Sequence, residues 1–308
     1  MWRDLISMER MTKLTTEGYH PDTTNLDLMS TIEIVKLMNE EDKKVPLAIA
    51  KVLPEIEQAV TAVVDALKNG GRLFYVGAGT SGRIGLLDAV ECPPTFSTSP
   101  KLVQAILAGG ADAVMIAIEG AEDDLSLGEV ELQKQQLTNR DVVIGIAASG
   151  RTPFVKGALN YAQQLGAKTI SLVSNAHSII SKHADIAIEV ITGPEILTGS
   201  TRLKAATAHK QILNMITTTT MIKLGKVYKN LMVDVHASNF KLRERAKQIV
   251  CEVTGVSYNQ AESVLEQNNY QVKLAIVVLL TNTTIEEATE LLAQSEGHVR
   301  RAVSLKKY

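Results

Sequence analysis

The 308-residue sequence predicts an α/β fold, a doubly wound and mostly parallel sheet flanked by helices, with a small helical domain at the C-terminal end. Three observations support this prediction. Short apolar, β-branched runs alternate with helical patterns between residues 72 and 224, which is typical of buried parallel strands joined by crossover helices. Two of these runs lead directly into glycine-rich loops. After residue 249 the strand pattern ends and only short amphipathic helical segments follow.

The N-terminal elements are predicted to be helices. Ser30 followed by Glu33 is a typical helix start, because the hydroxyl and the carboxylate satisfy the first backbone N–H groups. A second helix is predicted from about Pro54, which suits a first turn, to the stop signal Asn69–Gly71. Its apolar residues recur at helical spacing, so this face is expected to pack on the sheet.

The alternating region then gives the sheet and its helices. Strands are predicted at Arg72–Val76, Lys101–Leu107, Asp141–Ala147, Lys168–Val173 and Ile186–Ile191. Helices are predicted at Ser81–Val90, Ala113–Leu125, Pro153–Leu165 and Arg202–Leu224. Pro93 and Pro94 predict an irregular, rigid segment directly after Glu91.

The C-terminal region is predicted to be helical throughout. Helical segments are expected at Ile249–Gly255, Tyr258–Gln267, Gln271–Leu280 and Thr284–Gln294. The predicted organisation is therefore an N-terminal helical arm (1–50), an α/β domain (51–248) and a C-terminal helical domain (249–308).

Composition excludes several classes of partner. The formal net charge is −2 and 21% of the residues are charged, so no basic field favours nucleic acid or an anionic membrane. Charges throughout Met1–Arg10 and a short aliphatic run at Leu274–Leu280 predict neither a secretion signal nor a transmembrane helix. The two cysteines give no disulfide framework, so a reducing cytoplasm is expected. The six histidines show no ligand spacing, so no metal is predicted.

Two loops with similar sequences predict an anion site. Gly77–Arg83 and Gly145–Thr152 both combine glycine with hydroxyl residues directly after a predicted strand. Glycine lets the backbone approach an anion, while the N–H groups and hydroxyls donate hydrogen bonds to it. The hydroxyls favour a phosphate monoester on a sugar. The candidate binding residues are Gly79, Thr80, Ser81, Gly82, Arg83, Ser149, Gly150 and Thr152.

Two other interpretations of these loops stay open. The first loop also fits the glycine pattern of dinucleotide-binding folds, but the strand Lys101–Leu107 is not followed by the acidic residue that such folds use. Tight turns between strand and helix, without any ligand, are the other alternative.

A third stretch, Thr198–Lys204, again places glycine and hydroxyls before a helix and adds two cations. It contributes Ser200, Thr201 and Lys204 as candidate binding residues, and an ordinary capped helix start is the alternative. His209, on the helix that follows, is expected either to face the site or a subunit partner, or to occupy an ordinary helix position.

Carboxylates near these loops suggest acid–base chemistry. Glu91 ends the helix that follows the first loop, and Glu119–Asp124 brings four acids together. If the second segment is helical, Glu119 and Glu122 share one face. Two carboxylates near a bound sugar are the minimum equipment for moving protons at carbon, although an acidic cluster is also a common form of solvated surface.

Five ordered motifs together resemble the bacterial N-acetylmuramic acid 6-phosphate etherase family. They are Gly77–Arg83, Glu91–Thr95, Glu119–Asp123, Ile146–Pro153 and Thr198–Ala205. The resemblance covers nearly the whole chain, from Leu14–Gly18 through Asn230–Asp234 to the helical tail. The third loop carries Leu203 where the family usually has methionine, a change that conserves volume.

The resemblance implies a sugar isomerase (SIS) type domain, a UBA-like C-terminal domain and a homodimer. It implies cleavage of the lactyl ether of N-acetylmuramic acid 6-phosphate without metal or organic cofactor, giving N-acetylglucosamine 6-phosphate and D-lactate during recovery of cell-wall sugars. In the family a glutamate matching Glu122 acts as the base and one matching Glu91 as the acid.

Two related classes share parts of this pattern. The animal glucokinase regulatory protein has similar motifs and binds its phosphosugar without transforming it, but it needs more chain for its second sugar-binding domain. A sugar-phosphate isomerase of the same fold shares the loops, yet does not account for the Glu91–Thr95 and Glu119–Asp123 motifs.

Overall fold

A computed structural model of the chain describes residues 14–116, 118–234 and 239–306. Its centre is a five-stranded parallel sheet in the order β2-β1-β3-β4-β5. The strands are β1 (Leu73–Gly77), β2 (Val103–Leu107), β3 (Val142–Ile146), β4 (Lys168–Val173) and β5 (Ile186–Glu189). The prediction of a doubly wound, parallel α/β sheet is therefore confirmed.

The core lies on both faces of the central strands. Every residue of β1 and β3 is buried, as expected for β-branched runs covered by helices on both sides. Helix α6 (Pro153–Gln164) packs Phe154, Ala158 and Leu159, all completely buried, into the core cluster beside β3. Its Gly157 approaches helix α5 (Leu125–Lys134) so closely that a Cβ there would lie 1.8 Å from the Leu125 carbonyl oxygen.

Up to residue 223, the helices that begin at Thr31, Leu53, Gly79, Pro153 and Lys204 start within two residues of the predicted positions, whereas those that begin at Lys44 and Leu125 were not predicted. In chain order the helices are α1 (Thr31–Asp42), α2 (Lys44–Ile49), α3 (Leu53–Lys68), α4 (Gly79–Phe96), α5 (Leu125–Lys134), α6 (Pro153–Gln164) and α7 (Lys204–Lys223). Ser30 and Glu33 form the expected capping box at the start of α1. On α3 the residues Ile56, Ala59, Val60 and Val63 are buried.

The prediction of a helix at Ala113–Leu125 is wrong. The chain instead forms short 3-10 turns at Ala111–Val114 and Ala121–Asp123. Gly120 between them has φ +78°, which an α-helix does not tolerate. Asp124 accepts the N–H groups of Ser126 and Leu127 at 2.9 and 3.1 Å, and helix α5 begins after it.

The prediction of an irregular segment at Pro93 and Pro94 is also wrong, because α4 continues through both residues to Phe96. Proline has a fixed φ that is itself helical, so the chain keeps helical angles here although each proline removes an N–H donor and crowds the carbonyl four residues earlier.

By its internal contacts the chain divides into two compact units, one of residues 1–89 and 101–216 and one of residues 90–100 and 217–308. The second unit contains a short hairpin, β6 (Val227–Tyr228) and β7 (Leu231–Met232). Its helices are α8 (Phe240–Thr254), α9 (Tyr258–Gln267), α10 (Val272–Thr281), α11 (Ile285–Gln294) and α12 (Val299–Leu305). Their apolar faces form a separate buried cluster that includes Val250, Leu265 and Ile276.

The predicted domain boundaries at residues 50 and 248 stay predictions. Helix α8 begins at Phe240, before the predicted boundary, and residues 1–13 of the predicted arm lie outside the described part of the chain. Within that part, we find no helix with the length and apolar character needed to cross a membrane.

Candidate functional site

The order of the sheet brings the first two loops together. From β1 the chain crosses over to β2 on one side, and from β3 it crosses to β4 on the other. Such a reversal opens a crevice at the carboxyl ends of the strands, where open α/β sheets bind ligands. Gly77 and Ile146, the last residues of β1 and β3, are paired neighbours, so the loops that follow them leave the sheet side by side.

The first loop turns directly into helix α4. Gly79 has φ +52° and is exposed, and a Cβ on it would meet nothing within 4 Å. Gly82 is buried against the end of β1, since a Cβ there would lie 2.6 Å from the Gly77 oxygen. Thr80 and Ser81 between them are half-buried. This is the close strand-to-helix approach that lets the first N–H groups of a helix face an anion.

A cavity of about 190 Å³ adjoins this loop. Gly79 and Arg83 line it from the start of α4, and Glu119, Gly120 and Glu122 line it from the segment before α5. The acidic cluster therefore lies at the first glycine loop although it is not helical. Glu122 is exposed to solvent.

The Arg83 side chain is bonded to the backbone of the turn that precedes the acidic segment. Its Nε donates to the Val114 oxygen at 3.0 Å and its Nη2 to the Ala113 oxygen at 2.8 Å. These bonds tie the 3-10 turn after β2 to helix α4. Arg83 thus forms one wall of the cavity and also fixes the turn that leads to Glu119.

The second loop packs against Ser178. Gly150 has φ +68° and lies so close to Ser178 that a Cβ would come within 2.3 Å of the serine Cβ. Ser149 is half-buried, and its Oγ accepts the Arg151 N–H at 3.3 Å. Thr152 precedes α6, but its hydroxyl makes no capping hydrogen bond. Both hydroxyls therefore retain the capacity to donate to a ligand.

Asn175 supports this loop and was not among the predicted site residues. The side chain is 2% exposed, and its Nδ2 donates to the oxygens of Ala148 and Thr16 at 3.1 and 2.9 Å. Its position two residues after a buried strand was the available sequence signal. The Thr16 hydroxyl, 159 residues away in the chain, was not foreseeable as its partner.

The third loop precedes a helix whose first N–H groups already have an acceptor. The Glu195 carboxylate accepts the N–H groups of Lys204 and Ala205, each at 3.0 Å. Burial raises the pKa of Glu195, while these two bonds act in the opposite direction. Ser200 and Thr201 are half-buried in the loop itself.

The Lys204 ammonium lies in a buried ionic cluster. Its Nζ is 2.6 Å from Glu41 Oε2, and the other oxygen of Glu41 contacts His20 Nε2 at 2.9 Å and Lys44 Nζ at 2.5 Å. Burial by itself raises the pKa of Glu41, but the bonds from Lys204, Lys44 and His20 outweigh it and lower the pKa to about 2. Lys204 as a substrate-binding residue stays a prediction.

Glu91 is carried by the second half of helix α4 and is exposed. It belongs to the second compact unit, whereas Glu122 belongs to the first. Asp88, one turn earlier, is buried and accepts the Tyr75 hydroxyl at 2.8 Å and the Asn214 amide at 2.6 Å. These bonds hold α4 on β1 and α7.

His209 occupies an interior position. It is 1% exposed, its Nε2 is 3.0 Å from Ser174 Oγ, and burial lowers its pKa to about 4. The imidazole is therefore neutral near pH 7 and contributes to packing between α7 and the end of β4.

A larger cavity of about 1140 Å³ lies at the opposite, amino edge of the sheet, where Asp141, Lys168 and Asp185 line it. None of the predicted site residues reaches it. The Asp141 carboxylate there is already bonded to Arg72 and Thr138. Among the described residues no cluster of His, Cys, Asp or Glu suited to a metal ion occurs.

Comparison with known proteins places these motifs in a family. Residues 55–163 match the model of the glucokinase regulatory protein N-terminal SIS domain, and residues 128–213 match the SIS domain. The solved phosphoheptose isomerase from Francisella tularensis has a TM-score of 0.50 at 18% identity, covering 63% of this chain and 100% of that one. At this identity the likeness concerns the fold alone.

Curated relatives match almost the full length. The chain is 57% identical to the N-acetylmuramic acid 6-phosphate etherase of Geobacillus thermodenitrificans over 290 residues, which is 94% of this chain and 98% of that protein. It is 55% identical to the etherase of the same name from Vibrio campbellii over 290 residues, 94% of each chain. The chain belongs to the N-acetylmuramic acid 6-phosphate etherase family.

Proposed function

We propose that this protein cleaves the D-lactyl ether of N-acetylmuramic acid 6-phosphate, yielding N-acetylglucosamine 6-phosphate and D-lactate in the recovery of cell-wall sugars. The observation that carries the proposal is the cavity at the start of α4, which Gly79, Arg83, Glu119 and Glu122 share. It joins a loop suited to an anion to a carboxylate suited to proton transfer. Membership in the etherase family supports the same substrate.

The first two loops are proposed to hold the phosphate. The backbone at Gly79, Gly82 and Gly150 permits close approach, and the hydroxyls of Ser81 and Ser149 donate to the phosphate oxygens. Thr80, Thr152 and Arg83 complete these two loops. Phosphate binding would supply the energy that positions the sugar.

The third loop is proposed to add contacts through Ser200 and Thr201. Lys204 contributes a positive charge close to this loop, although its Nζ is bonded to Glu41. Lys204 is therefore proposed to act on the site electrostatically, from within the ionic cluster, and not by direct contact with the substrate.

Acid–base chemistry at carbon is proposed for the two glutamates. Once the sugar ring opens, its aldehyde acidifies the neighbouring C–H, and Glu122 takes that proton. Glu91 gives a proton to the ether oxygen as lactate leaves, which forms a carbon–carbon double bond. Water then adds across this bond, and no metal or organic cofactor is needed.

The family resemblance also suggests an assembly, and the two cysteines suggest a location. We infer a homodimer in the cytoplasm, with the phosphosugar as the small-molecule partner and no nucleic acid or membrane. The net charge of −2 supports the exclusion of nucleic acid and membrane partners, because it gives no attraction to polyanions.

The test is direct. The purified protein, dialysed against chelator, is incubated with N-acetylmuramic acid 6-phosphate, and released D-lactate is measured. Release without added metal or nucleotide supports the proposal. Absence of release by a folded protein would overturn it.

A regulator that only binds a phosphosugar is the second candidate. The match of residues 55–163 to the glucokinase regulatory protein domain favours it. Calorimetric binding of N-acetylglucosamine 6-phosphate together with no lactate release would move the assignment to this class.

A further inference from the structure

We propose that Leu14–Asp42, the part of the predicted N-terminal arm that is called the arm from here on, positions the second and third loops for substrate. Thr16 holds the second loop through Asn175, and Glu41 holds the start of α7 through Lys204. The proposal rests on the proposed function, since it names residues that set the geometry of the same site. Neither residue is proposed to contact the substrate.

Thr16 and Asn175 form a reciprocal buried pair. The Thr16 backbone N–H donates to Asn175 Oδ1 at 3.3 Å, and Asn175 Nδ2 donates to Thr16 Oγ1 at 2.9 Å. Both side chains are 2% exposed. A buried amide must satisfy its donors and acceptor within the protein, so the pairing fixes the orientation of the asparagine.

The orientation of Asn175 is transmitted to the second loop. The same Nδ2 donates to the carbonyl oxygens of Ala148 and Ser149 at 3.1 and 3.4 Å. These two residues immediately precede Gly150, where the proposed phosphate contact is made. Without the Thr16 hydroxyl the amide would lose one of the three acceptors of its Nδ2, which would loosen its hold on the loop.

Glu41 acts in the same way on the third loop. It is 4% exposed and bonds the ammonium of Lys204, the first residue of α7, which is 2% exposed. His20, from the same arm, donates its Nε2 proton to Glu41, because its Nδ1 accepts the Asp22 N–H at 3.2 Å. Two points of the arm therefore meet at the end of the third loop.

Between these anchors the arm follows the third loop closely. A Cβ on Gly199 would lie 3.3 Å from Glu17 Oε2, and a Cβ on Gly18 would lie 3.6 Å from the Cβ of Pro194. The arm therefore contacts the chain on both sides of Glu195. Its contacts extend from Asn175, which supports the second loop, to Gly199 and Lys204 in the third loop.

The experiment uses two variants that report on different loops. Thr16→Val removes the hydroxyl with little change in shape, and Thr16→Ser restores it. Glu41→Gln removes the charge that pairs with Lys204. Thr24→Val is the matched control, because Thr24 is an exposed threonine of the same arm. Each protein is assayed for lactate release, for binding of N-acetylglucosamine 6-phosphate by calorimetry, and for amide hydrogen exchange.

We expect Thr16→Val to weaken phosphosugar binding and raise KM about five- to tenfold, with kcat within twofold, because a loosened second loop weakens binding of the ground state and of the transition state alike. Exchange should increase at residues 147–152 and not at 198–206. Glu41→Gln should give the reverse exchange pattern. Thr16→Ser and Thr24→Val should match the unmodified protein.

The proposal is overturned if Thr16→Val binds the phosphosugar and exchanges like Thr24→Val, or if kcat falls while KM stays constant. It is also overturned if Glu41→Gln, folded by circular dichroism, leaves exchange at 198–206 unchanged. If the unmodified protein binds the phosphosugar but releases no lactate, the proposed etherase function fails while binding and exchange still decide the role of the arm.

Discussion

Helices α4 and α7 both begin after glycine and hydroxyl residues, yet their N-termini differ in what they face. The start of α4 adjoins a cavity that Glu119 and Glu122 line. The start of α7 is occupied, since the Lys204 and Ala205 N–H groups bond the Glu195 carboxylate and the Lys204 ammonium bonds Glu41.

The difference shows that a loop sequence alone does not establish an anion site. A helix N-terminus attracts negative charge whether that charge is a ligand or the protein's own carboxylate. At α7 two buried carboxylates, Glu195 and Glu41, already accept the bonds of the local donors. At α4 the loop and its cavity remain available to a ligand.

The largest expected effect concerns Glu122, which lines the cavity at the start of α4. Glu122→Gln should lower kcat for lactate release by about 10²- to 10⁴-fold, the range typical for loss of a general base. Phosphosugar binding should change little. Asp123→Asn is the matched control, because it neutralises the adjacent exposed carboxylate, which does not line the cavity. Equal losses in both variants would contradict the role of Glu122.

The next effect concerns the occupied end and its response to pH. The folded pKa of Glu41 is about 2 against an ordinary value of 4.5. Its ion pairs therefore stabilise the protein above pH 4.5, and this contribution, about 3 kcal/mol, is lost as the pH falls towards 2. Burial of Glu195 acts with the opposite sign, because a raised pKa makes stability fall as the pH rises through it.

Urea unfolding measures this effect as the difference in free energy of unfolding between the unmodified protein and Glu41→Gln. The difference should be large at pH 7 and should shrink as the pH falls from 4.5 to 3. A difference independent of pH would show that Glu41 does not carry the charge at the start of α7.

The two ends can be compared directly by removing one hydroxyl from each. Ser81→Ala should raise KM about 10- to 100-fold, because a hydrogen bond to a charged phosphate contributes about 1.5–3 kcal/mol. Ser200→Ala lies before the helix that Glu195 already serves, so we expect about a threefold increase. Steady-state kinetics give both values, and a larger effect at Ser200 would reverse the comparison.

The smallest expected effect concerns a third helix start, that of α5. Asp124 caps α5 from an exposed position, so Asp124→Ala should lower the free energy of unfolding slightly, because the Ser126 and Leu127 N–H groups lose their acceptor. Asp124→Asn retains a capping oxygen and should cost only a few tenths of this. Thermal unfolding distinguishes them, and a loss of lactate release in either variant would place Asp124 in the site instead.

Much of the fold was predictable from local pattern. The strands at Lys168–Val173 and β3, and helices such as α9, were placed closely because burial on both faces requires continuous apolar runs and amphipathic helices repeat every 3.6 residues. The prediction of a helix at Ala113–Leu125 was wrong because Gly120 adopts φ +78° and Asp124 caps the start of a new helix. Composition without the backbone angle did not reveal this break.

The sequence by itself determined the sheet, the two similar loops and the acidic residues beside them, because apolar periodicity, glycine and hydroxyl spacing are local properties of the chain. Only the tertiary structure decided which helix start is open. The bonds that hold the Lys204 ammonium and brace the second loop join residues far apart in sequence, 163 positions for Glu41 and Lys204 and 159 for Thr16 and Asn175. Such pairs depend on the packed backbone, which brings buried donors to the acceptors they require.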